Sequence, residues 1–244
     1  MKFDNISLLV PYKPDGSYRQ KNWEWIKKRH EILMPGVEIC IGDSTTQPYS
    51  RAQSINSAAK KATREIFIIA DADLVFDIKE LEKAIELLDK YYFVLPFSKL
   101  VKMTEGKTEK LLTDNFAIKT DDIDIEGCKI ADKTGCMSPG AMTGGMCIIK
   151  RETFENIGGY DERIKGWGGE DNIFFISIRY MYGLENMVRT ESTIWHLFHR
   201  YSTNYKSEEL RNKNIDLIKS MYGSEESILN SIIENKKIIF IKEI

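Results

Sequence analysis

The sequence predicts a single-domain α/β protein in which helices flank a mostly parallel sheet. Apolar runs of strand length alternate with helical segments through the first half of the chain, and no repeat or low-complexity linker divides it. The 244 residues are enough to bury a substantial core. Hydrophobic residues make up 42% and charged residues 30%, which is typical of a globular protein and excludes global disorder.

The individual elements follow from hydrophobic spacing. Helical spacing covers residues 19–33, 52–65 and 79–90, and Asp77 and Glu80 have the separation of a capping box. Strands are predicted at residues 6–10, 37–41, 66–70, 92–97 and 143–150. Alternation of this kind is typical of βαβ units, whose parallel strands are covered on both faces.

Two stretches depart from this alternation. Residues 100–141 are polar and rich in glycine, so we expect an insertion or mobile loop region over the sheet edge. We expect residues 1–206 to form the main domain and residues 207–244 to form a helical extension packed on it. Two helices separated by Met221, Tyr222 and Gly223 are predicted in the extension, followed by a strand over IIFI, residues 238–241.

Net charge, the length of the apolar runs and cysteine spacing argue against several classes of function. The formal net charge of -2 does not favour a non-specific binder of nucleic acid or membrane surfaces. The sequence has no run of 18 apolar residues, which an integral membrane segment would need, and the first apolar run is too short for a signal peptide. We therefore expect a cytoplasmic protein. The four cysteines form no C-x-x-C pair, which favours reduced thiols over a zinc site.

Two acids interrupt the stretch IFIIADADLVFD, residues 66–77. Asp71 and Asp73 follow a strand, and ligands of open α/β sheets bind beyond the carboxyl ends of the strands. Residues two apart on a strand point to the same side, where two carboxylates repel each other unless a cation lies nearby. The pattern indicates a divalent ion that holds a diphosphate. The alternative is that Asp71 caps a turn and Asp73 is solvated.

A second acidic pair lies in GWGGED, residues 166–171. Glu170 and Asp171 open a predicted helix, whose dipole favours their ionised form. An ionised carboxylate beside a glycine-rich turn is suited to accept a proton from a hydroxyl. The alternative is a helix cap preceded by a glycine-rich connector.

The combination of DAD, TGGMCIIK and GGYDERIKGWGGED resembles the metal-dependent nucleotide-sugar glycosyltransferases of the GT-A fold. The similarity is to β-galactosyltransferases, chondroitin-polymerase-type enzymes and polypeptide N-acetylgalactosaminyltransferases, and it covers about residues 6–200. The resemblance implies a catalytic domain over residues 1–206. It also implies transfer of a hexosyl or N-acetylhexosaminyl group from a UDP-sugar to an acceptor hydroxyl, with Mn²⁺ as cofactor and Mg²⁺ as the alternative.

The resemblance also implies a donor site. Arg51, in YSRAQSIN, would contact the nucleotide or diphosphate, and Asp71 would contact the ribose. Lys13 stands where the family has arginine, and an ammonium group cannot make the bidentate contact of a guanidinium. Gly144 and Gly145 would let the backbone approach the donor sugar. The remaining positions carried over to the nucleotide-sugar site are Pro11, Tyr12, Ala72, Trp167, Gly168 and Gly169.

For the metal, the resemblance implies Asp73 and a histidine from IWHLFHRYS. His196 fits the family pattern, with His199 as the alternative and Asp71 as a further candidate ligand. Asp171 would be the catalytic base and Glu170 would hold sugar hydroxyls, and an aspartate after the glutamate is typical of members that invert the anomeric centre.

Two other functions fit parts of the sequence. A non-catalytic module that binds a nucleotide-sugar or a glycan would keep the fold but lose Asp73 or the acidic pair, and all three acids are present. A nucleotidyltransferase would need a glycine-rich phosphate loop after the first strand, where PYKPDGSYRQ has one glycine. The acceptor stays open among a glycan, a glycolipid, a protein and a modified nucleic acid.

Overall fold

The computed structural model describes residues 3–138, 140–166, 168–200 and 208–239. Within these ranges the strands are β1 (Ile6–Pro11), β2 (Glu38–Gly42), β3 (Ile66–Ala70), β4 (Leu74–Phe76), β5 (Phe93–Leu95), β6 (Lys99–Lys102), β7 (Lys129–Asp132), β8 (Met146–Lys150), β9 (Met187–Arg189) and β10 (Thr193–His196). The α-helices are α1 (Tyr18–Leu33), α2 (Arg51–Lys61), α3 (Ile78–Glu86), α4 (Glu105–Thr113), α5 (Arg151–Asn156), α6 (Glu170–Tyr182), α7 (Glu208–Tyr222) and α8 (Glu225–Ile239).

The central sheet has six strands in the order β2-β1-β3-β8-β5-β9. β1 pairs in parallel with β2 and β3, and β5 pairs in parallel with β9. β8 lies antiparallel to both β3 and β5. The predicted single-domain α/β fold with a mostly parallel sheet is confirmed, and the sheet is mixed: three of its five strand pairings are parallel and the two pairings of β8 are antiparallel.

The direction of β8 follows from the point at which the chain enters the sheet. The backbone N–H of Asp71 donates to the carbonyl of Gly145 over 2.9 Å, so β8 begins beside the end of β3 and runs back along it. A parallel strand at this position would need a crossover that returns the chain to the opposite end of the sheet. The alternation of elements in the first half therefore does not extend to β8.

A second sheet has the order β4-β10-β6-β7. Residues 100–141, which we expected to form an insertion or mobile loop region, supply most of β6 and all of α4 and β7. The expectation was wrong because polar composition hid the apolar positions that order this segment. Val101 and Leu111, for example, are 1% and 2% exposed and belong to the main core.

Apolar side chains cover both faces of the central sheet. Leu8 and Val10 of β1 pack on one face with Ile26 of α1, whereas Leu9 faces the other side and packs with Ile55 of α2. A strand buried on both faces needs apolar side chains on both sides, which explains the consecutive apolar residues Leu8, Leu9 and Val10 in β1. The predicted cap of α3 is also present, since the carboxylate of Asp77 accepts a hydrogen bond from the Glu80 N–H over 3.0 Å.

The extension consists of α7 and α8, which pack on each other and on α6. Ile238 and Ile239 lie in α8, so the predicted strand over IIFI is wrong for these two residues, and its other two residues lie outside the described ranges. The helical spacing of Ile228, Ile232 and Ile239, which are buried, extends to this end of the helix. The boundary at residues 206 and 207 also lies outside the described ranges and stays a prediction.

Asn56 joins α2 to the turn that precedes the glycine-rich motif. It is fully buried, its amide donates to the Tyr160 carbonyl over 2.8 Å, and its oxygen accepts from the Tyr160 N–H over 3.0 Å. Asn56→Ala leaves both backbone groups unpaired in the core, so we expect a loss of about 2 to 4 kcal/mol in the free energy of unfolding.

Urea denaturation measures this loss. The matched control is Asn212→Ala, at an exposed position of α7, which should change the free energy of unfolding by less than about 0.5 kcal/mol. Equal stability of the two variants would contradict the structural role of Asn56.

Candidate active site

Asp71 and Asp73 lie in the turn between β3 and β4 and line one crevice at the carboxyl end of β3. The Leu74 N–H donates to the Asp71 carbonyl over 3.3 Å, so the chain turns here and does not continue as a strand. The alternation of a strand therefore does not apply to these two residues. Their carboxylates share the crevice but have different partners.

Asp71 is paired with Arg51, the first residue of α2. The Arg51 Nε atom lies 2.7 Å from the Asp71 carboxylate, and one terminal nitrogen lies 2.6 Å from Asp171 and 3.8 Å from Glu170. Burial opposes the charge of the guanidinium, but Asp171 and Asp71 outweigh this effect and raise the pKa of Arg51 well above its ordinary value. One buried cation thus serves three carboxylates.

Asp73 lies instead beside two histidines. Its carboxylate oxygens are 3.6 Å from Nε2 of His196 and 3.2 Å from Nε2 of His199. Potential ligand atoms of the three residues all lie within 4.8 Å of one another. Within the described ranges, these three side chains form the group that could hold a metal ion. Oδ1 of Asp73 is buried and has no hydrogen-bond partner among the described residues.

The second sheet positions this group. His196 is the last residue of β10, opposite Leu74 of β4, and the Leu197 N–H donates to the Asp73 carbonyl over 2.9 Å. Nδ1 of His199 lies 3.1 Å from the carbonyl of Arg200, to which it donates, leaving Nε2 as an acceptor that faces Asp73. Burial lowers the pKa of His199, which favours the neutral imidazole that metal ions bind.

Glu170 and Asp171 begin α6, directly after Gly168 and Gly169, which have φ values of 104° and 105°. L-residues with side chains rarely adopt this conformation, which explains the two glycines. Glu170 is 5% exposed, and its Oε2 atom has no hydrogen-bond partner among the described residues. Burial, followed by the charge of Asp171, raises the pKa of Glu170 to about 7.

Asp171 lies against two further residues. A Cβ atom on Gly144 would be 2.2 Å from its Oδ2 atom, so a larger residue there would displace this carboxylate from its present position. The Tyr160 hydroxyl lies 3.3 Å from Oδ1 of Asp171, and its ring is stacked on Phe174 with the centroids 4.0 Å apart. Burial raises the pKa of Tyr160 well above its ordinary value, so the hydroxyl keeps its proton and donates a hydrogen bond to the carboxylate.

The structure brings most of the predicted site residues to this crevice. Among the described residues, Lys13, Gly168 and Gly169 do not line it, and Trp167 lies outside the described ranges. The crevice is lined by Pro11, Tyr12, Arg19, Tyr49, Arg51, Asp71, Ala72, Asp73, Leu74, Leu100, Gly144, Gly145, Glu170, Asp171, His196 and His199.

Sequence reasoning missed four of these lining residues and the contact of Tyr160 with Asp171. Tyr49 lies within YSRAQSIN, so the motif itself was a signal that it belonged to the site. Arg19, Leu74 and Leu100 had no such signal.

None of the helices in the described part of the chain is long and apolar enough to cross a membrane.

Solved structures of similar fold include glycosyltransferases. Glucosyl-3-phosphoglycerate synthase from Mycobacterium tuberculosis, in complex with Mn²⁺ and UDP-glucose, has a TM-score of 0.51 and 13% identity over 90% of this chain and 78% of that one. A mycobacterial protein has a TM-score of 0.53 and 14% identity, over 90% of this chain and 74% of that one. A mutant of Drosophila β1,4-galactosyltransferase 7, in complex with manganese, UDP-Gal and xylobiose, has a TM-score of 0.46 and 18% identity. The match covers 86% of this chain and 78% of that one.

Comparisons of sequence identify the family. No curated protein sequence matches the chain. A family model described as the N-terminal domain of galactosyltransferase matches residues 128–200. The model of glycosyl transferase family 2 matches residues 15–158, which is more than half of the chain. With the GT-A fold that the solved structures share, this match shows that the chain belongs to glycosyl transferase family 2 and is a glycosyltransferase.

Proposed function

We propose that the protein transfers a hexosyl or N-acetylhexosaminyl group from a UDP-sugar to an acceptor hydroxyl, with inversion and with dependence on Mn²⁺. The observation that carries the proposal is that one crevice holds both the group of Asp73, His196 and His199 and the acidic pair of α6. The first can hold a cation beside a diphosphate, and the second can accept a proton.

The residues fit a metal ion. Oδ1 of Asp73 is buried without a hydrogen-bond partner among the described residues, and both histidines have Nε2 within 3.6 Å of that carboxylate. Two imidazoles and one carboxylate favour Mn²⁺ over Mg²⁺, which prefers oxygen ligands. We therefore propose both His196 and His199 as ligands. Asp71 is left out because its carboxylate is paired with Arg51. A bound ion would offset the charge that develops on the departing diphosphate.

The donor is proposed to lie along the same crevice. Pro11, Tyr12 and Ala72 line it beside Asp71, whose remaining carboxylate oxygen is available to a ribose hydroxyl. Arg51 supplies a permanent positive charge close to the proposed position of the diphosphate. The complex of M. tuberculosis glucosyl-3-phosphoglycerate synthase with Mn²⁺ and UDP-glucose supports UDP-sugars as the first donors to test.

Asp171 is proposed to accept the proton of the acceptor hydroxyl while its oxygen attacks the anomeric carbon. The bond from that carbon to the diphosphate breaks, and its electron pair leaves with UDP. Arg51 and the Tyr160 hydroxyl both contact Asp171 and hold its carboxylate in place beside the crevice. Glu170, buried with one oxygen unpartnered among the described residues, is proposed to hold sugar hydroxyls.

The metal site is tested by binding of UDP. Asp73→Ala should abolish the increase in UDP affinity that Mn²⁺ produces, because it removes the carboxylate ligand. His196→Ala and His199→Ala should each weaken binding of Mn²⁺ by an order of magnitude or more. Isothermal calorimetry with UDP, with and without Mn²⁺, measures these changes.

The control is His30→Phe, since His30 is buried against Phe76 and lies outside the crevice. A wild-type protein whose UDP affinity does not respond to Mn²⁺ would refute the metal site. If only one of the two histidine variants lost affinity, the ligand set would reduce to Asp73 and that histidine.

The catalytic base is tested with Asp171→Asn. The amide keeps the size of the side chain but does not accept the proton, so release of UDP from the best UDP-sugar should fall by about 10² to 10⁴-fold. Binding of UDP and Mn²⁺ should stay within about threefold of the wild type. NMR of the sugar released by the wild type should show an inverted anomeric configuration. Retention, or near-normal turnover of the variant, would eliminate Asp171 as an inverting base.

Glu170 makes the stability of the protein depend on pH. Folding raises its pKa from an ordinary value of 4.5 to about 7, so its contribution to stability is fully present below pH 4.5 and is lost as the pH rises through 7. Glu170→Gln stays uncharged, so above pH 7 we expect it to be more stable than the wild type by about 1 to 3 kcal/mol. The charged groups that face Glu170, namely Arg51, Asp71 and Asp171, are the same in the variant and the wild type, so the difference in stability reports on the Glu170 carboxyl.

Urea denaturation between pH 4.5 and pH 8 measures this difference, which should shrink as the pH falls. The control is Glu226→Gln at an exposed position of α8. A constant difference across the whole range would contradict the raised pKa of Glu170.

A further inference from the structure

The helical extension lies directly against the segment that carries the acidic pair. α7 and α8 pack on α6, and their apolar residues form one buried cluster with Ile164 and Ile173. Both family models end at or before residue 200, so neither assigns a role to this extension. The glycine-rich loop, defined here as residues 158–166, 168 and 169, contacts the extension and leads directly into Glu170 and Asp171.

Asn214 of α7 makes a specific polar contact with this loop. Its side-chain amide donates to the carbonyl of Lys165 over 3.0 Å and to the carbonyl of Gly168 over 3.2 Å. The side chain is 4% exposed, so these hydrogen bonds are shielded from water. One asparagine therefore connects two points of the loop immediately before Glu170 and Asp171.

The backbone of the loop also approaches α7 closely. A Cβ atom on Gly166 would lie 2.2 Å from a methyl carbon of Leu210, and one on Gly169 would lie 2.4 Å from a methyl carbon of Ile218. Both glycines have positive φ values, 70° and 105°. Their conformation favours glycine at these two positions, and their backbone lies directly against apolar side chains of α7.

Near the start of the loop, the Tyr222 hydroxyl donates to the carboxylate of Asp161 over 2.8 Å. Asp161 is 1% exposed and also pairs with Arg163 over 2.7 Å. The end of α7 therefore holds the loop near its first residues, while Asn214 holds it near its last ones.

A loop with several glycines loses much conformational entropy when it is ordered, so contacts from outside must fix it. We propose that Asn214 is a positioning residue, which holds the glycine-rich loop so that Glu170 and Asp171 face the crevice. The proposal rests on the proposed roles of these two acids. It makes the extension a support of the active site, since none of the described residues of α7 and α8 lines the crevice.

The test compares Asn214→Ala and Asn214→Asp with the control Asn212→Ala, on the exposed side of the same helix. Asn214→Asp keeps the size of the side chain but replaces the donating amide nitrogen with a carboxylate oxygen, which cannot donate to the two carbonyls. Both variants at Asn214 should lower kcat for release of UDP about 10- to 100-fold at saturating donor. Affinity for UDP and Mn²⁺ should not change, because the proposed metal ligands belong to the second sheet and the turn before it.

Hydrogen exchange of the loop amides provides a readout that does not depend on activity. Exchange of residues 162–166, 168 and 169 should accelerate about tenfold or more in both Asn214 variants, while β3 and β8 keep the wild-type rates. Loss of the proposed function would appear as a wild type without turnover, whereas wild-type exchange in both Asn214 variants would overturn the positioning role. If Asn214→Ala and Asn214→Asp do not fold, Asn214→Ser, whose hydroxyl supplies one donor where the amide supplies two, decides by the same exchange measurement.

Discussion

The pairing of Arg51 with Asp71 and Asp171 is the interaction on which the arrangement of the crevice depends. It joins the start of α2, the end of β3 and the start of α6 through contacts of 2.7 and 2.6 Å. Without a cation, the three carboxylates near this point would repel each other in a poorly solvated space. A guanidinium can donate to two carboxylates at once from one plane, whereas a lysine ammonium has no such geometry.

Around this pairing, the site divides into two parts with separate supports. The group of Asp73, His196 and His199 is held by β4 and β10 of the second sheet, and Glu170 and Asp171 are held by α6. Residues 100–141 therefore have a structural purpose, since β6 pairs with β10 and completes the sheet that supports the histidines. The two roles proposed for the site, binding of the leaving group and acceptance of the proton, thus belong to residues with separate supports.

The sequence predicted elements and motifs well but not their long-range partners. Strands β1 and β3 and the cap at Asp77 follow from local spacing, as does the position of Asp71 at the end of a strand. The contact of Arg51 with Asp171 spans 120 residues, and no local pattern encodes it. The direction of β8 was missed for the same reason, because it depends on the path of the chain through the second sheet.

The glycine-rich loop shows how far a motif depends on residues outside it. Its glycines permit the positive φ values, but they supply no side chains that could hold the conformation. Three polar side chains from two helices do so instead: Asn56 binds the backbone of Tyr160, Asn214 binds two carbonyls before Glu170, and Arg51 binds Asp171 itself. The geometry of the acidic pair is therefore a property of the assembled fold, and the motif contributes the freedom to adopt it.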